Sequence, residues 1–205
     1  MPIVTTMRDA TVHDLPGVYR VCLRTGLAGQ DASDTYSDPD RLGHIWAGPY
    51  LVFPDAVAMV LQDDHGVAGY CLGVPDTATF EQWVDDVWLP PLRAHHPPGS
   101  GAGADAALVQ RLHHPLRTDA VLTADHPAHL HIDLLPRRQG EGWGRRLTDA
   151  VTGRLRAAGA TGVHLGVDEA NTAAQAFYGR VGFTEVRRTT GARYFARPLE
   201  PGRPV

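Results

Sequence analysis

A short turn rich in glycine and arginine has the residue types that hold a phosphate group. The turn spans 139–146, with the sequence Gln-Gly-Glu-Gly-Trp-Gly-Arg-Arg, and it follows the apolar stretch 128–135. Glycine can adopt positive φ and has no Cβ to keep an anion away from the backbone amides. A helix that starts at such a turn contributes its free N–H groups and the positive end of its dipole to binding the anion. The pattern predicts a phosphate site between a strand and a helix; the alternative is an ordinary helix start.

The residues around the turn exclude two other nucleotide-binding motifs. No G-K-[ST] sequence follows, so the turn is not a P-loop, and Leu147 takes the place of the third glycine of G-x-G-x-x-G. Arginines flank the turn and favour a ligand with several negative charges. They are Arg137, Arg138, Arg145 and Arg146.

A tyrosine downstream of the turn is a candidate proton donor. Tyr178 lies seven residues after Asn171, which is two helical turns, so both side chains can face one cleft. A phenol has a pKa of ~10, so it is protonated at neutral pH and can serve as a general acid. The alternative is a core tyrosine with a satisfied hydroxyl.

An aspartate on the apolar stretch is a candidate proton acceptor. Asp133 stands among leucine and isoleucine, where a carboxylate is costly to bury unless it is paired or faces a cleft. It could accept the proton of an amine or hold an ammonium group, and pairing with an arginine is the competing explanation. His131 and His129 share its strand face and are second choices for the base. Asp168 and Glu169 could orient a substrate or only cap a helix.

The glycine turn and the segment 171–183, which contains Tyr178, together resemble the GNAT superfamily of acyl-CoA N-acyltransferases. Its Q/R-x-x-G-x-G/A signature is matched by Gln139, Gly142 and Gly144, and its N-x-x-A-x-x-F-Y-x-x-x-G-F element by Asn171–Phe183. The match in order and spacing covers about 128–197. Within the family, the segments 88–93 and 131–136 look most like the acetyltransferase-like domain associated with O-GlcNAcase and its free-standing bacterial relatives.

The resemblance implies acetyl-CoA as cosubstrate and gives each motif a part. In that family the turn binds the pyrophosphate, the asparagine and its helix line the pantetheine arm, and the tyrosine faces the sulfur. The strand before the turn parts from its neighbour and pairs with pantetheine through free backbone groups. The candidate catalytic residues are thus Tyr178, Asp133 and Asn171. The candidate cofactor-binding residues are Leu134, Leu135, Gln139, Gly140, Gly142, Trp143, Gly144, Arg145, Asn171, Ala174, Phe177 and Tyr178.

The order of the predicted elements indicates a mixed α/β fold. The resemblance implies a GNAT fold, in which a central mixed sheet of about seven strands splays between strands 4 and 5 and is flanked by helices. Strands are predicted at 3–8, 57–61, 67–74, 128–135, 162–167, 183–188 and 192–198. Helices are predicted at 12–26, 79–94, 104–113, 142–158 and 171–181. Residues 27–45 are expected to be a loop, which in GNAT proteins shapes the acceptor site, and 75–127 is an insertion-like segment.

These features predict an N-acetyltransferase that acts on a primary amine, by direct attack in a ternary complex. The alternative is an inactive module that binds or senses acetyl-CoA. Residues 1–127 hold 7 arginines against 16 acids, whereas residues 128–205 hold 12 against 7. A basic half suits coenzyme A, and an acidic half would attract a cationic amine, either a small molecule or a peptide.

The composition of the chain limits the number of domains, the location and the binding partners that can be expected. A chain of 205 residues with 43% hydrophobic content suits one domain over 1–205. No apolar run approaches the ~20 residues of a membrane span, and no signal peptide is apparent, so a cytoplasmic protein without a membrane partner is expected. The histidine pairs lack zinc spacing, and no basic aromatic platform is present, so neither a metal nor a nucleic acid is expected. The sequence leaves a homodimer open.

Overall fold

The fold is built on one seven-stranded mixed sheet, seen in a computed structural model that describes residues 4–199. The strand order is β1-β2-β3-β4-β5-β7-β6, and β4 and β5 form its parallel pair. The strands are β1 Thr6–Asp9, β2 Val57–Asp63, β3 Gly66–Val74, β4 Ala128–Leu134, β5 Gly162–Asp168, β6 Thr184–Thr189 and β7 Ala192–Pro198. The prediction of a mixed sheet splayed between its fourth and fifth strands is confirmed.

Helices cover both faces of the sheet. They are α1 Leu15–Thr25, α2 Arg41–Trp46, α3 Thr77–Trp83, α4 Leu89–His95, α5 Asp105–His113, α6 Ala120–Asp125, α7 Trp143–Ala157 and α8 Thr172–Arg180. One core forms between the sheet and α7 and α8, around Leu147, Val151 and Leu165. The other forms on the opposite face around Val18, Tyr70 and Leu72. The alternation of side chains along each strand divides apolar residues between these two cores.

The segment 75–127 is helical and differs from the prediction in two places. The helix expected at 79–94 is α3 and α4 joined by a π-helical turn at Val84–Trp88. Pro90 and Pro91 follow at the start of α4, where they have no N–H for a regular helical bond, so the wider turn accommodates them. Helix α6 was not expected.

The loop predicted at 27–45 is also shorter than expected, because α2 begins at Arg41.

The elements around the expected site begin and end close to their predicted positions. Helix α7 was expected at 142–158, and its N-cap is Gly142. Helix α8 was expected at 171–181, and Asn171 caps it by accepting a hydrogen bond from the Ala174 amide at 3.0 Å. The first strand was expected at 3–8 but starts at Thr6, and residue 3 of that prediction lies outside the described residues. Over 4–199, no helix has both the length and the apolar composition to cross a bilayer.

Candidate active site

The two central strands separate soon after they meet. Their parallel register contains only the pairs Ala128 with Val163 and His129 with His164. Just after β4, the Leu135 amide donates to the Ala68 carbonyl of β3 at 2.9 Å. Because backbone groups alternate in direction along a strand, those of Ile132 and Leu134 face the gap left by β5. The gap opens into a cavity of about 480 Å³, a size typical of ligand sites.

The glycine turn presents open space to this cavity. Gly140 and Gly142 have φ of 78° and 81°, and a Cβ added to either would meet no atom within 4 Å. No side chain caps the start of α7, so its first N–H groups have no partner within the helix or from a capping side chain. Both features suit an anion such as the pyrophosphate of coenzyme A. The turn therefore fits the ligand expected there.

Gly144 has a different role from the other two glycines. A Cβ on Gly144 would lie 3.1 Å from the ring of Phe177 and 3.3 Å from Leu134. Its small size thus allows α7 to pack closely against α8 and β4, rather than leaving room for an anion. Gly144 and Phe177 still line the cavity, as do Ala174 and Tyr178.

Polar side chains hold the glycine turn in place. Gln139 Nε2 donates to the Leu134 carbonyl at 2.7 Å, which occupies one of the backbone groups in the gap. Arg137 Nε and Arg138 Nε both donate to Asp63 Oδ2, at 2.9 and 3.0 Å, and the Asp63 side chain is fully buried. The hydrogen bond from Arg137 outweighs burial and lowers the pKa of Asp63. The β2–β3 hairpin therefore anchors the turn through an ion pair.

The flanking arginines are not all available to a ligand, contrary to the sequence-based expectation. Arg137 and Arg138 both pair with Asp63, and the Arg146 guanidinium lies 4.7 Å from the centre of the Trp143 ring. Arginines that line the cavity are Arg138, Arg145 and Arg180. Arg145 Nη2 donates to the Arg180 carbonyl at 2.6 Å, which ties α7 to the end of α8.

Tyr178 is surrounded by aromatic rings and lines the cavity. Its side chain is 7% exposed, and Phe177, Phe183 and Phe195 have ring centres within 6.0 Å. Burial, assisted by the negative charge of Asp133, raises the pKa of Tyr178 far above its usual value. The phenol is therefore neutral over the whole physiological range and keeps a proton to donate.

Asp133 lies in a hydrogen-bonded cluster on the opposite face of the sheet from the α7 core. The Tyr70 hydroxyl donates to Asp133 Oδ2 at 2.5 Å, and His131 Nε2 lies 3.1 Å from the same oxygen. Burial lowers the pKa of His131, but the charge and hydrogen bond of Asp133 outweigh it and raise this pKa to about 10. His131 and Asp133 thus form a charged pair, not the arginine pair considered as the alternative.

His129, the other candidate base, is fixed and neutral. Its Nε2 is 2.6 Å from the Tyr50 hydroxyl, and its Nδ1 is 2.9 Å from the Thr77 hydroxyl. Thr77 in turn donates to the Pro127 carbonyl at 2.7 Å, so the histidine carries its proton on Nδ1 and accepts on Nε2. Burial, with the nearby His164 and His131, lowers the pKa of His129 to about 3. We assign it a structural role.

Some predicted site residues lie elsewhere, and some lining residues were not predicted. Leu135 is buried in the α1-side core with its amide bonded to Ala68, and neither it nor Trp143 is among the cavity-lining residues. Asp168 accepts from the Ala170 amide at 2.8 Å, so it orders the turn before α8, and the cap of that helix is Asn171. The unpredicted lining residues are Thr25, Ala28, Gly29, Gln30, Ile132, Ala173, Arg180 and Val181. Four of them come from the last residue of α1 and the chain that follows it, which no local motif marks.

Comparisons with known proteins agree with this architecture. The profile of the "Acetyltransferase (GNAT) family" matches residues 109–183. The crystal structure of SsHAT is 36% identical, with a TM-score of 0.88 over 96% of this chain and 98% of that chain. A putative acetyltransferase from Salmonella typhimurium, yncA, solved with its cofactor acetyl-CoA, is 16% identical with a TM-score of 0.55, over 96% of this chain and 94% of its own. That second likeness concerns the fold alone.

A curated relative is Protein O-GlcNAcase of Rattus norvegicus, which is 23% identical over 197 residues. The match covers 92% of this chain but 21% of that protein, so the chain spans about a fifth of the length of such relatives. The fold, the family profile and the SsHAT likeness together show that the chain belongs to the GNAT family of acetyltransferases. The resemblance inferred from the two sequence motifs is thereby confirmed.

Proposed function

We propose that this protein transfers the acetyl group of acetyl-CoA to a primary amine within a ternary complex. The observation that carries the proposal is one continuous cavity, which joins the glycine turn, the separated edges of the central strands, Tyr178 and Asp133. A turn that fits a pyrophosphate and a cleft that fits a pantetheine arm then lie beside a proton donor and a proton acceptor.

The chain's residues would hold the donor in an extended form. The amides at the start of α7 and of Gly140 and Gly142 bind phosphate oxygens, and Arg145 and Arg180 add charge. The backbone groups of Ile132 and the amide of Leu134 pair with the amide groups of the arm. When bound, acetyl-CoA supplies a thioester carbonyl that an amine can attack.

Two side chains would accept and donate the protons that move during the acetyl transfer. Asp133 holds the ammonium form of the acceptor and receives a proton as the amine becomes nucleophilic. The Tyr178 hydroxyl donates a hydrogen bond to the departing sulfur and can deliver its proton there. Asn171 Oδ1 is occupied as a helix cap, so its part is to fix the start of α8.

The cavity offers a cationic acceptor one carboxylate. Within the described residues, Asp133 is the acid of the lining, and it already pairs with His131, while the three arginines of the lining suit the donor's phosphates. The acids of the 27–45 segment are not among the lining residues, so the acidic half of the chain contributes no carboxylate to this cavity. The acceptor would contact Asp133 and the chain at Ala28–Gln30.

Release of free thiol from acetyl-CoA, measured across amines, aminosugars and peptides, tests the proposal. The chain contains no lysine, so acetylation of its own lysines cannot contribute to the signal. We expect Tyr178→Phe to keep acetyl-CoA affinity, measured by calorimetry, and to lower turnover ~10²-fold because a positioned acid is lost. Tyr194→Phe, outside the cavity lining, is the control and should retain activity.

One outcome would contradict the enzyme proposal, and another would contradict only the role of Tyr178. Tight acetyl-CoA binding with no thiol release on any acceptor would leave the binding or sensing module as the function. Equal turnover of Tyr178→Phe and the parent would remove Tyr178 from the proton transfer.

The cellular location of the protein is a separate proposal. Cys22 and Cys71 are free and buried, which suits a reducing compartment and favours a cytoplasmic location. Fractionation of the producing cells would test it.

A further inference from the structure

A tyrosine on β3 makes a contact that neither the family motifs nor the proposed proton transfers account for. Tyr70 is 0% exposed, yet its hydroxyl reaches across to Asp133 at the edge of the cavity. We propose that Tyr70, assisted by His131, is a positioning residue that aims Asp133 at the acceptor amine. This inference rests on the proposed function, since Asp133 is taken there as the group that contacts the amine.

The two contacts to Asp133 fall on a single oxygen. Tyr70 and His131 both engage Oδ2, whereas Oδ1 has no hydrogen-bond or ion-pair partner in the described part of the chain. The Asp133 side chain is 21% exposed, and the residue lines the cavity. Oδ1 is therefore the oxygen left for an ammonium group, and the anchoring of Oδ2 determines where Oδ1 points.

Tyr70 is rigid enough to act as an anchor. It is paired directly with Asp133 in the antiparallel register of β3 and β4, so two neighbouring central strands determine the spacing between the two residues. Its ring lies 5.5 Å from that of His131, and its hydroxyl is also 3.0 Å from His131 Nε2. Cys22 of α1 packs against the same cluster. The hydroxyl is therefore held in place by burial and by its contacts with Asp133 and His131.

Anchoring matters because a carboxylate free to rotate about its last bond presents either oxygen in many directions. Fixing one oxygen gives the other a single direction, which favours a productive contact with the amine. Loss of the Tyr70 hydroxyl would leave His131 as the remaining partner of Oδ2. The acceptor step should then weaken, while the donor site at the glycine turn should not change.

The test compares two tyrosines that are chemically alike. Tyr70→Phe removes the hydroxyl that touches Asp133. Tyr50→Phe is the control, because Tyr50 is also buried on this face and also bonds a β4 histidine, His129, at 2.6 Å, without contacting Asp133. We expect Tyr70→Phe to lower kcat/KM for the amine by about tenfold with unchanged acetyl-CoA affinity by calorimetry. Tyr50→Phe should stay within about twofold of the parent.

A double-mutant cycle separates positioning from a general loss of packing. In an Asp133→Asn background, Tyr70→Phe should have no further effect, because the residue acts through Asp133. Equal losses in the two single tyrosine variants, or full additivity with Asp133→Asn, would overturn the inference while leaving the proposed function standing. A parent protein without acetyltransferase activity would contradict both the inference and the proposed function. Activity of Tyr70→Phe equal to the parent would remove the inference alone.

Discussion

At the scale of single residues, two histidines on one strand show how partners determine charge. His129 and His131 lie two positions apart on the same face of β4. His129 faces neutral hydroxyls and other histidines, so burial dominates and lowers its pKa. His131 faces a carboxylate, which more than offsets burial and raises its pKa. The sequence marked both as candidate bases and could not separate them, because the hydroxyl partners of His129 belong to Tyr50, after α2, and to Thr77 of α3, which no local pattern brings to β4.

The raised pKa of His131 predicts a pH-dependent contribution to stability. Its folded pKa of about 10 lies above the ordinary value of 6.5. The ion pair therefore stabilises the fold fully below pH 6.5, and this contribution is lost as pH rises through about 10. The difference in unfolding free energy between the parent and His131→Gln should shrink over that range. Imidazole titration by NMR provides the direct check, and a His131 midpoint near 6.5 would contradict the pairing.

At the scale of elements, prediction succeeded where a local pattern determines the structure. The start of α7 follows from its glycines, and the cap of α8 follows from Asn171, so both motifs lie where the sequence placed them. The π-helical turn before Pro90 was missed, because apolar periodicity does not reveal the extra residue in a turn. Tyr70 was missed for a different reason. Its contact with Asp133 depends on the register of β3 against β4, which no local pattern specifies.

The two ends of α7 offer a matched test of the glycine turn. Gly142 and Gly159 both have positive φ, 81° and 95°, and both have open space where a Cβ would lie. Replacement by Asp should strain the backbone comparably at either end. Only Gly142→Asp places a negative charge at the phosphate site, so its acetyl-CoA affinity should fall at least tenfold, about 1.4 kcal/mol. Calorimetry that finds the same affinity in folded Gly142→Asp and Gly159→Asp would contradict the turn's role.

At the scale of the whole molecule, ion pairs engage half of the acids in the acidic part of the sequence. Arg41 pairs with both Asp38 and Asp105, and Arg8 pairs with Asp14 at 2.6 Å. Within the described residues, eight of the 16 acids of 1–127 have an arginine partner, so pairing reduces the charge available to attract an acceptor without removing it. The cationic lining of the cavity comes from the basic half, as expected for a phosphate-bearing donor. The organisation of 1–205 as one domain stays a prediction.

The two residue pairs that join β4 to β5 make the centre of the sheet a narrow seam between two panels. One panel carries β1 to β4, and the other carries β5, β7 and β6. Acetyl-CoA bound between the free edges of β4 and β5 would bridge the two panels. Every turnover would therefore break and remake contacts in the middle of the sheet. We expect amide hydrogen exchange at Ile132 and Leu134 to slow when acetyl-CoA binds and to recover as coenzyme A leaves. Unchanged exchange at both amides under saturating acetyl-CoA would mean that the panels stay apart throughout the cycle.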